Sequence, residues 1–262
     1  MDLFYREYGN YSDDRPTLIF LHGLLGSSAN WHSIARAVGD EYHILVPDLR
    51  NHGRSPHDPE VGYPALVADL EGFLDDQGLD SAVLIGHSMG GKAAMAYALK
   101  HPSMVSALVV VDIAPVRYDS RFTELFDVLR RLDLSMIESR ETADRQLAGF
   151  LSDLRLRQYL LQNLRVSGGR SEWRINIEAL SRRLEDILTF PDVPKGTQYP
   201  GPALFLYGTE SDYVQPASAS VISGYFPYAR LRPVNGAGHW VYSEQPEFFM
   251  NSLTRFLGKE IL

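Results

Sequence analysis

The stretch LIGHSMGG, residues 84–91, places glycines on both sides of a single serine. Before the turn, Ala82-Val83-Leu84-Ile85 is an aliphatic run of the kind that forms a buried strand. After it, Lys92 to Leu99 reads KAAMAYAL, a run rich in good helix formers. Only Gly86 to Gly91 remain to turn the chain from one to the other. A reversal that short needs backbone angles that glycine reaches without a side-chain clash. The serine at its apex, Ser88, is therefore expected to be strained, exposed and seated at a helix N-terminus.

The same rhythm recurs along the chain. Thr17–Leu21 runs into His22-Gly23, Tyr42–Pro47 into Asp48, Ala107–Val111 into Asp112, and Ala203–Tyr207 into Gly208. Each run is almost continuously apolar rather than alternating, the pattern of parallel strands covered on both faces. Helical segments lie between them. Pro64–Asp76 carries Leu66, Val67, Leu70, Phe73 and Leu74 on one face, and a C-terminal segment carries Phe249, Leu253, Phe256 and Leu257. Strands alternating with helices predict a mostly parallel sheet with helices on both faces.

From Val116 to Phe190 the rhythm breaks. No strong strand is evident there. The apolar sets Phe122-Leu125-Phe126-Leu129, Leu147-Phe150-Leu151-Leu154 and Ile177-Leu180-Leu184-Ile187-Leu188 are spaced for helices, and Gly168-Gly169 divides the region. This predicts a helical cap or lid, residues 116–190, inserted into a core made of residues 1–115 and 191–262.

Composition narrows the function. The chain has 262 residues, 45% of them hydrophobic and 22% charged, as in ordinary globular domains. Its formal net charge of −8 offers no electrostatic reason to bind nucleic acid or anionic lipid. With no cysteine, disulfides, thiolate metal sites and cysteine nucleophiles are excluded. No apolar run approaches membrane-spanning length, and the N-terminus lacks a signal-peptide pattern, so a cytoplasmic location is expected. Oligomeric state is not legible.

Reactive groups in open α/β sheets gather where strands end. Here those ends offer Ser88, Asp112, the Gly208–Asp212 turn, and His239 in NGAGHW, residues 235–240. A serine hydroxyl needs a base to take its proton. A neutral imidazole is such a base near pH 7, and a carboxylate fixes its tautomer. The chain order of serine, acid and histidine suits that arrangement. The acid has two candidates. Asp112 ends a strand beside the serine strand, in a buried setting where a carboxylate needs a partner, and Ser211 could support it. Asp212 lies four residues past Gly208, one beyond the usual position. Asp112 is preferred.

The segments HGLLGS (22–27), DLRNHGRS (48–55), GHSMGGK (86–92), VDIAP (111–115) and GAGHWV (236–241) resemble α/β-hydrolase esterases. The closer resemblance is to the small bacterial YbfF-type esterases and their mitochondrial relatives, over nearly the whole chain. It implies an α/β-hydrolase fold with a mostly parallel eight-stranded sheet, a helical cap and no cofactor or metal. It also implies hydrolysis of small carboxylic esters or thioesters through an acyl-enzyme on Ser88, with the Asp112 acid. The N–H groups of Leu24 and Met89 are the expected oxyanion hole. Leu25, Trp31, Trp240 and Val241 are expected to line the substrate pocket, which should favour short acyl chains. Acyl transfer, perhydrolysis or lyase chemistry on the same fold, or a non-catalytic binding role, are the alternatives. His22, Asp48 and His52 are read as structural, His87 only as the variable residue of the elbow. His32, His43, His57 and His101 have no evident partner.

Overall fold

The computed structural model of the chain describes residues 1–119 and 122–260. Its strands are β1 (Tyr5–Tyr8), β2 (Leu18–Leu21), β3 (Ile44–Pro47), β4 (Ala82–His87), β5 (Val105–Val111), β6 (Leu164–Ser167), β7 (Arg170–Trp173), β8 (Ala203–Gly208) and β9 (Ala229–Val234). One seven-stranded sheet has the order β1-β3-β2-β4-β5-β8-β9. Every pairing in it is parallel except β1 with β3. The family expectation of eight strands is corrected to seven among the described residues. The polar edge strand β1, YREY, carried no apolar signal in the sequence.

The continuous apolar runs are buried on both sides, and the pleat divides their side chains. Ile19, Leu21, Leu84, Leu108, Val110 and Phe205 face one core with helices Tyr63–Asp76 and Met89–Lys100. Leu18, Phe20, Val83, Ile85, Val109 and Leu206 face the other, with helices His32–Val38 and Pro246–Glu260. The C-terminal helix thus forms where the apolar spacing places it.

The segment between β5 and β8 departs from the expected all-helical pattern. β6 and β7 pair antiparallel as a separate two-stranded ribbon. Gly168 and Gly169, at φ 60° and 73°, form its tight turn, where side-chained residues are disfavoured. Periodicity missed the ribbon because its residues, LRVS and RSEW, are short and mostly polar. The pattern around Leu147–Leu154 is also split: helix Arg140–Ala148 ends at Gly149, and Asp153 caps a second helix, Leu154–Leu161. A local core of Leu132, Ile137, Ala143, Leu147, Leu161 and Leu164 holds these pieces together.

The glycines around the serine are required by close approach. A Cβ on Gly90 would lie 2.5 Å from the backbone oxygens of Leu21 and His22. One on Gly86 would lie 2.3 Å from the Gly90 oxygen. Gly90→Ala should therefore cost at least about 1–3 kcal/mol by forcing backbone apart. Gly224→Ala, in helix Ser218–Tyr225 with nothing within 4 Å of the new methyl, should be neutral or stabilising by up to about 1 kcal/mol. Thermal denaturation of the two variants checks the contrast.

Candidate active site

β4 and β5 end in register, His87 opposite Val111. The next residue on each strand is Ser88 and Asp112, and both adopt positive φ, 52° and 50°. Leu25 and Asn51 are the other side-chained residues at positive φ among those described. Such conformations cost of order 1–3 kcal/mol each and persist only where the surroundings enforce them. At Ser88 the enforcement comes from two main-chain bonds. Its N–H donates to Val111 O at 3.1 Å, and its carbonyl accepts from Lys92 N at 3.0 Å. Ser88 keeps 8% of its surface exposed and starts helix Met89–Lys100.

Asp112 is 1% exposed, and its carboxylate is fully engaged. Oδ1 accepts from the Gly208 N–H at 3.0 Å, and Oδ2 accepts from Ser211 Oγ at 2.5 Å and lies 2.7 Å from His239 Nδ1. The bond to Asp112 leaves Nε2 as the free nitrogen of the His239 ring. The loop carrying His239 is held from several sides. Its carbonyl accepts from His87 Nε2 at 2.9 Å, and Tyr213 stacks on its ring at 4.0 Å. Glu244 accepts from the two N–H groups that flank it, Gly238 at 2.8 Å and Trp240 at 3.2 Å. Ser88 Oγ itself donates to none of the described residues. Asp212 is exposed on the turn beyond Ser211.

Facing Ser88 is the loop from His22 to Ser27. Gly23 approaches so closely that a Cβ there would stand 2.9 Å from His87 Nδ1 and 3.2 Å from Ser88 Cβ. Leu24 and Met89 both line the small cavity at Ser88, and neither backbone N–H donates to a described residue. From above, Tyr159 Oη donates to Leu24 O at 2.8 Å and Asn163 Nδ2 to Leu25 O at 2.6 Å. From below, two buried histidines set the loop. His22 Nε2 accepts from the Leu49 N–H and His52 Nε2 from the Leu25 N–H, while each Nδ1 faces a carbonyl, Gly23 O and Arg50 O. That pattern requires the neutral tautomer protonated on Nδ1. Asp48 accepts from the N–H groups of Ser28 and Arg54, and Arg50 pairs with Asp69 through two bonds of 2.6 and 2.7 Å.

The expected pocket residues are dispersed. Trp31 and Val241 are fully buried in the core on the far face of the sheet, packed with Tyr242 and Phe249, so the pocket expectation for both is corrected. Leu25 is buried within the loop from His22 to Ser27, and Trp240 lies against Tyr159 at a neighbouring cleft. The cavity at Ser88 is instead lined by Leu24, Met89, Ile113, Tyr63, Tyr118 and Lys92, among others. It holds about 20 Å³, room for about one water. Lys92 escaped notice, yet a signal was present. Met89–Leu99 is apolar nearly all round, so a lysine within it must be buried. Burial pulls its ammonium down to about 7. His87 and Glu244 also went unrecognised, since their partners are main-chain groups of another segment. The remaining histidines do have neighbours: His32 with Tyr8, His43 with Thr17 and Glu7, His57 with Arg174 O, and His101 with Glu71. No cluster of three metal-ligating side chains occurs among the described residues, and none of their helices is long and apolar enough to cross a membrane.

A family model described as the alpha/beta hydrolase fold matches residues 16–246. The chain is 43% identical to the mouse sn-1-specific diacylglycerol lipase ABHD11, over 92% of this chain and 81% of that one. It is 36% identical to esterase YbfF of Escherichia coli, over 95% of each. A solved marine microorganism esterase superposes with a TM-score of 0.92 at 37% identity, covering 98% of this chain and 99% of that chain.

The two neutral histidines imply acid sensitivity. Burial lowers His52 to about 3 and holds His22 below its ordinary range. Unfolded, each titrates near 6.5. Between those values the unfolded chain binds more protons, so their stabilisation is full above about pH 6.5 and is lost as pH falls toward about 3. The Tm should therefore drop from pH 7 to about pH 4, and His52→Gln should drop less over the same interval although it starts lower. Calorimetry on both proteins measures this; equal drops would refute the assignment.

Proposed function

Because this chain belongs to the α/β-hydrolase family and acts on ester bonds, we propose that it cleaves small carboxylic esters, thioesters included, through an acyl-enzyme on Ser88. The supporting observation is the bond of 2.7 Å between His239 Nδ1 and the buried Asp112 carboxylate, at strand ends adjoining the strained Ser88.

In this reading His239 Nε2 takes the Ser88 proton as Oγ attacks the ester carbonyl, while Nδ1–H stays on Asp112. The developing oxyanion is received by the Leu24 and Met89 N–H groups, which the fold holds in place beforehand. Collapse returns the proton to the departing alcohol or thiol. Water then repeats the sequence on the acyl-enzyme and frees the acid. No cofactor or metal has a role. Residues 116–190 act as the cap over a core of residues 1–115 and 191–262, and the acyl chain enters the cavity lined by Leu24, Met89 and Tyr118. With room for about one water before an ester binds, its walls have to part for the acyl group, which favours short ones.

Ser88→Ala should remove on the order of 10^4-fold or more of kcat in a folded protein and abolish labelling by a fluorophosphonate. Near-normal turnover in the pure variant would reject the acyl-enzyme. Asp112→Asn should lower kcat by roughly 10^2- to 10^4-fold, because the amide does not hold the needed tautomer. Asp212→Asn, on the exposed turn, should cost less than about tenfold. Steady-state kinetics at about pH 8 on the folded variants gives the ranking, and a reversed order would move the acid to Asp212.

A further inference from the structure

Lys92 is a buried charged group that this reaction leaves unused and that no carboxylate among the described residues pairs with. It stands one helical turn past Ser88 and is 1% exposed. Its Nζ donates to Leu188 O at 2.6 Å and lies 4.8 Å from the ring centroid of Tyr118 and 5.9 Å from that of Tyr63. An ammonium has three donors, and Leu188 takes one. No carboxylate among the described residues pairs with it; burial alone accounts for its lowered affinity for a proton. The ring faces offset part of the charge. Removing an ion from water without a counter-ion is still costly, and a methionine of similar length would fill the space without that cost.

The position of this charge is as informative as its isolation. The side chain lines the same small cavity as Ser88 and Met89, within walls otherwise formed by Leu24, Ile113 and Tyr118. The Leu188 carbonyl belongs to the end of helix Leu184–Leu188, so the ammonium sits between the nucleophile's helix and the overlying segment. We propose that Lys92 is the anion-recognising residue of the acyl pocket. The favoured substrates are then esters whose acyl part carries a second carboxylate a few carbons from the scissile carbonyl. The incoming carboxylate supplies the missing counter-ion and keeps the ammonium charged. This inference rests on the acyl-enzyme at Ser88, because it takes the cavity at that serine for the acyl side.

Monomethyl succinate and methyl isocaproate test it. They differ by a terminal carboxylate against an isopropyl group of similar shape, and methanol release reports both. The wild-type protein should show kcat/KM at least about tenfold higher for the succinate monoester, as expected of a charge-assisted bond. Lys92→Met should reduce that ratio by about tenfold or more. A wild-type ratio at or below one overturns the proposal without any variant. A folded Lys92→Met protein with the wild-type ratio also overturns it, leaving Lys92 as a peg between helix and cap. Hydrolysis of the isocaproate ester with Ser88 reactive toward fluorophosphonate confines either failure to this inference. Turnover of neither ester with Ser88 unreactive removes the acyl-enzyme reading as well.

Discussion

The left-handed backbone at Ser88 is the constraint on which the site depends. A side-chained residue adopts such angles only where neighbours leave no alternative. Here the strand before it is locked between β2 and β5, and the helix after it begins at once. Gly86, Gly90 and Gly91 allow strand, helix and loop to meet backbone to backbone. The consequence is geometric. The serine is lifted to the sheet end while the first N–H of its helix, Met89, stays beside it. Asp112 repeats the device one strand over, so strained residues stand at two adjacent strand ends, Ser88 beside the Gly23 loop and Asp112 against the His239 loop.

Around that pair the structure uses neutral groups and main-chain bonds more than ion pairs. His22 and His52 each accept one N–H and donate to one carbonyl, which suits imidazoles that burial keeps uncharged. Glu244 and His87 grip the backbone of the His239 loop, and Tyr159 and Asn163 grip that of the Leu24 loop. Fixing backbone in this way leaves Ser88 Oγ and His239 Nε2 without a bond to any other described residue. It also ties the segment between β5 and β8 to the loop from His22 to Ser27. Lys92 stands apart, a charge in the cavity wall with a carbonyl and two rings for company.

Much of this was legible in the sequence because it is local. Continuous apolar runs identified the buried parallel strands, and the glycines around Ser88 announced the turn. The His22 and His239 loops stood out by their small residues. β1 and the β6–β7 ribbon were not legible. Four polar residues become a strand only because a neighbouring edge has unpaired hydrogen-bonding groups, which no periodicity records.

Which acid meets His239 was a question of strand order. Asp112 and Asp212 are equally plain in the sequence. β5 lies between β4 and β8, and that adjacency brings Asp112, Ser211 and His239 together while Asp212 remains on the exposed turn. The face on which Trp31 and Val241 lie was decided in the same way. An aromatic or aliphatic residue next to a reactive loop is as well suited to core as to pocket, and packing on the far face of the sheet buried both. Lys92 shows the converse. Its helix was readable at once, but the absence of a counter-ion among the described residues depends on which chain segments close over it. The sequence by itself determined what is set within a few residues: strands, helices, the strained serine and its glycines. The tertiary structure decided what depends on which distant segments become neighbours, because hydrogen bonds and burial act through space.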